Sequence, residues 1–355
     1  MKILLYTDCH YSQTSSIIRR RGQKYSQRLE NLLQSINWAE ELAVTKGCDE
    51  VICLGDFFDK PTLNDEELTA LDDIKWNNLS HKFLVGNHES SVNGLRFNSV
   101  YALKKYGFDI ISEPNSYYID DKTAIHFIPY IVETDRKPLG QTIVVDPSRR
   151  NIVFSHNDIK GIRYGMFLSE NGYSLDEIEH NCDLFINGHL HNGSFLNDKE
   201  TILNLGNLTG QNFSEDAFNY PHYVCIVDTD KLDLSQGLEF VENPYAFNFY
   251  KVEVKSLKDL ERLKNIKSNP VVSIKCGDDY VLAVKDFLKD KTYADYRITG
   301  LAVDKVDDDQ EEIELTSTNY LEQFKDFMIN NVDNSNIMQE ELYHVIGGET
   351  DESKD

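Results

Sequence analysis

Long apolar runs are missing from these 355 residues. Nothing approaches the roughly 20 consecutive apolar residues that a membrane-spanning helix needs, so no membrane role is expected. The opening MKILLYTDCH has neither the length nor the small-residue cleavage site of a secretory signal, and a cytoplasmic protein is expected. Paired cysteines are missing too. Cys9, Cys48, Cys53, Cys182, Cys225 and Cys276 follow no CxxC or paired spacing, which reads as reduced thiols rather than a disulfide framework. Positive charge is short: 36 Lys and Arg face 60 Asp and Glu, a net charge of −24. Phosphate backbones normally select basic surfaces. Residues 304–355 carry three lysines against sixteen acids, −13 of that total, and leave −11 on the rest. Any attraction for a phosphodiester must therefore be local, through a metal site or a basic cluster.

What is present is alternation. Short β-rich runs alternate with amphipathic stretches in the first part of the chain, the pattern of a layered α/β fold, and the length predicts one large domain with a smaller appendage. KILLYTD reads as a strand. The following stretch places Leu29, Leu32, Leu33, Ile36, Ala39, Leu42 and Ala43 at helical spacing and stops at Gly47. VICLGD is a strand, about Asp65 to Trp76 a helix, KFLVGNH a strand and about Phe97 to Tyr106 a helix. Beyond Gly107 strands outnumber helices, which suits two packed sheets covered by helices. From Tyr250 the pattern becomes a small β-α-β-α-β unit, with SLKDLERLKN and YVLAVKDFLKD as its helices. DKVDDDQEEIE reads as a solvated linker, two short amphipathic helices follow, and GGETDESKD reads as a disordered end.

Five loops, each directly after an apolar strand, hold metal-type side chains: Asp8 and His10 in TDCH, Asp56 and Asp59 in GDFFD, Asn87 and His88 in GNHE, His156 in FSH, and His189 and His191 in GHLH. Loops at the carboxyl ends of strands in an α/β sheet converge on one crevice. Carboxylates, imidazoles and an amide without thiolate suit Mn, Fe or Zn better than Ca. Seven ligands exceed one ion but fit two that share a bridging group, the arrangement that clamps a phosphoryl group and lowers the pKa of a water. Two dications less the two ligand carboxylates leave a formal +2, enough for an acidic body to take a phosphodiester there.

The ordered series D-x-H, GD-x-x-D, GNH[DE], H, GH-x-H resembles that of the calcineurin-like metallophosphoesterases over roughly the first 200 residues. The resemblance implies a four-layer α-β-β-α sandwich with a small C-terminal α/β cap and terminal helices. It implies that Asp8, His10, Asp56 and His191 hold one ion, that Asp56, Asn87, His156 and His189 hold the other, and that Asp56 bridges. His88 would face the scissile phosphate as a catalytic group, and Asp59 would orient it, fixing its tautomer and raising its pKa.

Phosphoprotein phosphatases carry an arginine directly after GDxxD and another two residues after the GNHE glutamate; this chain has Lys60 and Ser91 there. The long helix after the first motif, LNLGNLTGQNFSEDAFNYPHYVCIVD after the last, the cap, the linker and the terminal helices look like the SbcD-type double-strand-break-repair nuclease subunit, with phage recombination nucleases the nearest branch. Tyr11 where those enzymes usually have leucine, and SH rather than GH at the fourth motif, depart from the pattern without touching a ligand. That likeness implies a nuclease domain over 1–240, a capping and DNA-contact domain over 241–304 and a partner-binding end over 305–355. It implies an Mn²⁺-dependent exonuclease and single-strand endonuclease that acts on DNA ends and single-strand/double-strand junctions as a homodimer. A coiled-coil ATPase of the SbcC type would be its partner, docked by helices near 318–346, in the host cytoplasm if a phage encodes it.

Arg19, Arg20, Arg21 and Lys24, with Arg28 nearby, are candidate DNA-phosphate contacts, the plain alternative being a solvated loop and helix face. A phosphatase or a cyclic-nucleotide or small-molecule phosphodiesterase on the same fold is the competing function, and a scaffold with a vestigial site a further one.

Overall fold

The computed structural model describes residues 1–300 apart from 19, 92–93, 165–166 and 290–292. The acidic linker and the terminal helices expected near 318–346 lie outside the described residues.

The chain begins β1 (Lys2–Tyr6), α1 (Gln27–Thr45), β2 (Glu50–Cys53), α2 (Asp65–Leu71), β3 (Ser80–Leu84) and β4 (Asp109–Ile111). It continues β5 (Asn115–Tyr118), β6 (Thr123–Ile128), α3 (Leu139–Thr142), β7 (Arg150–Ser155), α4 (Leu175–Asn181), β8 (Leu184–Asn187), β9 (Ser194–Phe195), β10 (Ile202–Asn204), β11 (Tyr223–Asp228) and β12 (Leu238–Glu242). After these come β13 (Asn248–Val254), β14 (Pro270–Cys276), α5 (Val281–Lys289) and β15 (Asp295–Gly300).

Two six-stranded sheets form the body, ordered β12-β11-β1-β2-β3-β4 and β9-β10-β8-β7-β6-β5. β1 to β4 run parallel, as do β6, β7, β8 and β10. Period two in these strands sorts side chains between layers. Ile3, Leu5, Ile52 and Leu54 meet Ile125, Phe127, Ile152, Phe154 and Ile186 between the sheets. Leu4 and Tyr6 point the other way, onto Leu29, Leu32 and Ile36 of α1. On the far face Val153 and Phe185 meet Leu139 of α3 and Ile178 of α4. The result is the four-layer sandwich expected from the sequence. A separate parallel sheet, β13-β14-β15, buries its own cluster around Val252, Ile274, Leu263 and Val284.

Three helix expectations change. α2 stops at Leu71, short of Trp76. Carboxylates in a last turn oppose the helix dipole, and here Asp72 is taken up by Lys105 and Tyr106 while Asp73 is taken up by Lys24 and Tyr25. The stretch expected to be helical from Phe97 is a strand to Asn98 and then a 3₁₀ helix, Ser99–Tyr106. Leu257–Asn265 is likewise 3₁₀. Apolar spacing of three to four residues fits either helix type, so the pattern could not choose between them.

Candidate metal centre

Because β1, β2 and β3 are parallel to one another, and β7 to β8, the five motif loops leave the two sheets at the same edge. The backbone ties them together. Asp8 N donates to Gly55 O (3.1 Å), His10 N to Asp56 O (3.0 Å) and Gly188 N to Ser155 O (2.9 Å). Close approach explains the motif glycines: a Cβ on Gly55, whose φ is +114°, would stand 2.4 Å from His156 Nδ1, and one on Gly188 would stand 2.2 Å from Thr7 Oγ1. Asp8 (φ 50°), His10 (45°), Asp56 (48°) and His189 (78°) all adopt left-handed backbone. Such conformations cost on the order of 1–3 kcal/mol each and persist where the surroundings over-determine them. Here they aim four ligand-type side chains inward.

The structure brings all seven expected ligands together. Asp8, His10 and His191 form one group, and Asp56, His156 and His189 another, each with donor atoms within 4.8 Å. Asp56 Oδ2 lies 3.2 Å from His156 Nε2 and 3.8 Å from His10 Nε2, so it serves both. Asn87 Oδ1 stands 3.0 Å from His189 Nδ1 and 3.3 Å from His156 Nε2. His10 Nε2 and His191 Nε2 are 3.1 Å apart.

The outer nitrogens decide what the inner ones can do. His10 Nδ1 faces Asp59 Oδ1 (3.2 Å), His189 Nε2 faces Asp158 Oδ1 (3.2 Å), His191 Nδ1 faces Glu215 Oε1 (3.1 Å) and His156 Nδ1 faces the Leu54 carbonyl (2.8 Å). Carboxylates and carbonyls only accept, so each neutral imidazole carries its hydrogen outward. Four lone-pair nitrogens therefore converge with the oxygens of Asp8, Asp56 and Asn87 and no donor among them. Asp8 Oδ1 is buried without a hydrogen-bond partner, whereas Oδ2 accepts from Thr7 Oγ1 and His189 N. Converging acceptors and an orphaned buried oxygen fit cations.

Electrostatics agree. Although burial opposes it, the charges of His156, His10 and His88 hold the Asp56 carboxyl well below the usual range. Burial likewise opposes charge on His156, yet Asp56, Asp8 and Glu89 push its pKa up to about 9, the sign of a site that favours positive charge. His191 is raised by Glu215, Asp8 and Asp56 against its burial. His10 is lowered, chiefly by burial. Glu89, fully buried behind Asp56, is raised to about 8 by burial and by the Asp56 charge.

His88 sits at the mouth, its side chain 44% exposed, with its ring 4.5 Å from that of His10. Its Nδ1 lies 3.1 Å from the main-chain carbonyl of Asp59 and 3.9 Å from the carboxylate. The expected carboxylate-to-His88 pairing is thus redistributed: the Asp59 side chain holds His10 and its backbone holds His88.

Sequence reasoning missed Asp158 and Glu215. Their inclusion also revises the charge expectation, because Asp59, Asp158 and Glu215 bring the acids around two dications to five, and the formal +2 becomes −1. Arg28 offsets this. It is not a free DNA contact but is 3% exposed, donating to Gly210 O (2.8 Å) and Cys9 O (3.1 Å). The crevice is close to neutral, so an anionic ester is held there by direct contacts rather than by long-range attraction. In the basic cluster, Arg20 faces Asp295 (3.4 Å), Lys24 faces Asp73 (2.6 Å), Arg21 is exposed and Arg19 lies outside the described residues.

A two-sheet sandwich that gathers two sets of metal-ligand side chains at one edge defines a metal-dependent hydrolase. The chain belongs to the calcineurin-like phosphoesterase family, whose model matches residues 1–193, and enzymes of this family act on phosphoesters with two metal ions. Similar solved structures include an archaeal phosphodiesterase (17% identity, 68% of this chain and 99% of that chain, TM-score 0.35). A dimetal phosphatase from Danio rerio (13%, 64% and 92%, 0.38) and zinc-complexed Vps29 from Entamoeba histolytica (14%, 68% and 99%, 0.29) are also similar. Among curated proteins none matches the chain. No helix among the described residues is long and apolar enough to cross a membrane.

Proposed function

We propose that this chain is the catalytic subunit of a two-metal DNA nuclease of the SbcD type. The observation that supports it most is the single carboxylate of Asp56 shared by two converging ligand groups, 3.2 Å from His156 and 3.8 Å from His10. A diester is favoured over a phosphomonoester because Lys60, which follows GDFFD in place of the phosphatase arginine, is engaged by buried Glu67 (3.2 Å). Bound at this centre, two divalent ions, Mn²⁺ in this proposal, would polarise the phosphoryl group and activate a water.

The chain's own groups do the rest. Asp8, His10 and His191 would hold one ion, Asn87, His156 and His189 the other, and Asp56 both. His88 Nδ1–H donates to the Asp59 carbonyl, which leaves Nε2 to face the scissile ester. As an imidazolium it can stabilise charge on the phosphoryl oxygens or hand its Nε2 proton to the leaving oxygen. Residues 1–240 are proposed as the nuclease domain, 241–304 as the cap and 305–355 as the region that docks a coiled-coil SbcC-type ATPase, in a homodimer working on DNA ends in the cytoplasm.

Purified protein supplied with Mn²⁺ is expected to degrade linear DNA far faster than it hydrolyses p-nitrophenyl phosphate. The competing reading, a phosphatase or small-molecule diesterase, draws on the nearly neutral crevice and the acidic chain. It wins if the monoester or a cyclic nucleotide is the better substrate at equal enzyme and metal.

A further inference from the structure

One cavity lies beside the metal centre, and a second shares Ser16 with it. The first, about 230 Å³, opens at His10 and Asp59 and is walled by Thr14, Ser15, Arg28 and Gln211. The second, also about 230 Å³, lies between Ile17, Phe213 and Val271 on one side and Tyr296 and Arg297 of β15 on the other. Ser16 lines both, and Asn212 of the first is followed in sequence by Phe213 of the second. Through Ser16 the cavity at the ligand loops adjoins the cavity at the small three-stranded sheet, a groove in two parts.

Its chemistry changes along its length. The near end is polar. Ser15 Oγ accepts from the amides of Ile17 and Ile18, which leaves its hydrogen to donate, and Gln211 reaches the Asp8 carbonyl (3.3 Å). The far end has an apolar floor, with Phe213 and Val271 buried. Its rim is Tyr296, 48% exposed, and Arg297, whose guanidinium lies 4.3 Å over the Phe213 ring and donates to Ser273 Oγ (2.9 Å). The ion pair of Arg20 with Asp295 (3.4 Å) fastens the loop that forms one wall to β15.

Polar groups beside the reacting ester, then an aromatic slot with a cation at its rim, match a nucleotide presented sugar-phosphate first and base second. Cavities of about 230 Å³ have room for single nucleotides rather than for a duplex. We infer that the groove binds the unpaired strand next to the scissile phosphate, with a base seated against Tyr296 and the Phe213–Arg297 pair. The inference rests on the diesterase reading above and deepens it by assigning the strand a path.

The test is fluorescence anisotropy of end-labelled oligothymidylates, two and six nucleotides long, on the full chain in EDTA, where binding is separated from cleavage. The wild type is expected to bind the hexamer at least about tenfold more tightly than the dimer, the size of one stacked base. Tyr296→Ala should remove that length dependence and Tyr296→Phe should keep it. Arg297→Ala should weaken the hexamer by a similar factor, with melting curves confirming that each variant folds. Wild-type hexamer affinity in both alanine variants would overturn the groove, even with Mn²⁺-dependent DNA cleavage intact. Loss of binding in the variants together with a wild type that cleaves no DNA would instead uphold the groove and sink the nuclease reading.

Discussion

The two halves of the metal centre are built to different rules. Around Asp56, His156 and His189 the groups are closely tied: His156 Nε2 lies 3.2 Å from Asp56, and its other nitrogen is locked on a main-chain carbonyl in the core. Around Asp8, His10 and His191 the groups satisfy one another less well. Two imidazole nitrogens face each other at 3.1 Å, and Asp8 Oδ1 is buried with no partner. Both outer partners there are side-chain carboxylates, Asp59 and Glu215. One half is thus held by a main-chain carbonyl and a close carboxylate–imidazole contact, whereas the other rests on side-chain carboxylates and leaves a buried oxygen for a cation to meet. The first should survive metal removal with its geometry intact; the second should relax.

The largest expected effect comes from joining the halves. Asp56→Asn removes the shared carboxylate and leaves buried His156 and His10 without their common partner. The loss should exceed the roughly 10²–10⁴-fold that a single general acid supplies, and metal analysis of the variant should show both ions depleted. Retention of one ion at full occupancy would mean that the halves are independent. Next comes His88→Ala, which removes none of the seven expected ligands although its ring lies beside that of His10. DNA cleavage should fall by about 10²–10⁴-fold, with metal content unchanged. Cleavage at the wild-type rate would remove His88 from the chemistry.

Glu215→Gln and Asp158→Asn sharpen the contrast, since each removes the carboxylate behind one histidine. Losing an outer partner of a metal-ligating histidine typically lowers metal affinity by about 10–100-fold. Glu215 is 3% exposed and its other oxygen accepts from Gln211 N (2.9 Å). The Asp158 side chain is 26% exposed, where solvent screens it. Calorimetric titration with Mn²⁺ should therefore show the larger loss in Glu215→Gln, confined to one of two binding events, and a smaller loss in the other event for Asp158→Asn. Equal losses in both events would erase the distinction drawn here.

Much of this centre was legible because its inner ligands sit at fixed offsets from strand ends. An apolar run, a glycine and then Asp, Asn or His can be read locally, and parallel strands guarantee that such loops share an edge. The outer partners could not be read that way. Glu215 lies 24 residues beyond His191 in a loop with no periodic signal, and only tertiary packing brings it within 3.1 Å. Asp158 had a clue, two residues after His156, but its partner is His189. Arg28 was open to a better reading. It shares a helical face with Leu32, Ser35 and Ile36, all buried, so the α1 periodicity already directed it inward rather than toward solvent. The Asp59 carboxylate shows a different limit: its place after GDFF fits either histidine, and the side-chain rotamer selects His10.

The smallest effect asks whether acid sensitivity belongs to the centre or to the sheet beneath it. His126 on β6 is 1% exposed and fits as a neutral ring, with Nδ1 2.7 Å from Ser116 Oγ and Nε2 3.0 Å from Asn151 Oδ1. Burial lowers its pKa, only partly opposed by the Asn151 hydrogen bond. A histidine whose folded pKa lies below the unfolded value of about 6.5 leaves stability complete above that pH. As pH falls below it, the unfolded chain takes up the proton first, and stability declines by no more than about 1.4 kcal/mol per pH unit until the folded ring titrates too. Saturating metal removes protons from the ligand histidines, so the difference between urea melts of metal-loaded wild type and variant between pH 7.5 and 5.5 reads the His126 contribution. His126→Gln, which can bond both neighbours without titrating, should flatten that slope. An unchanged slope would take the acid sensitivity away from His126 and leave it to metal release at the centre or to His222, buried likewise and lowered by burial.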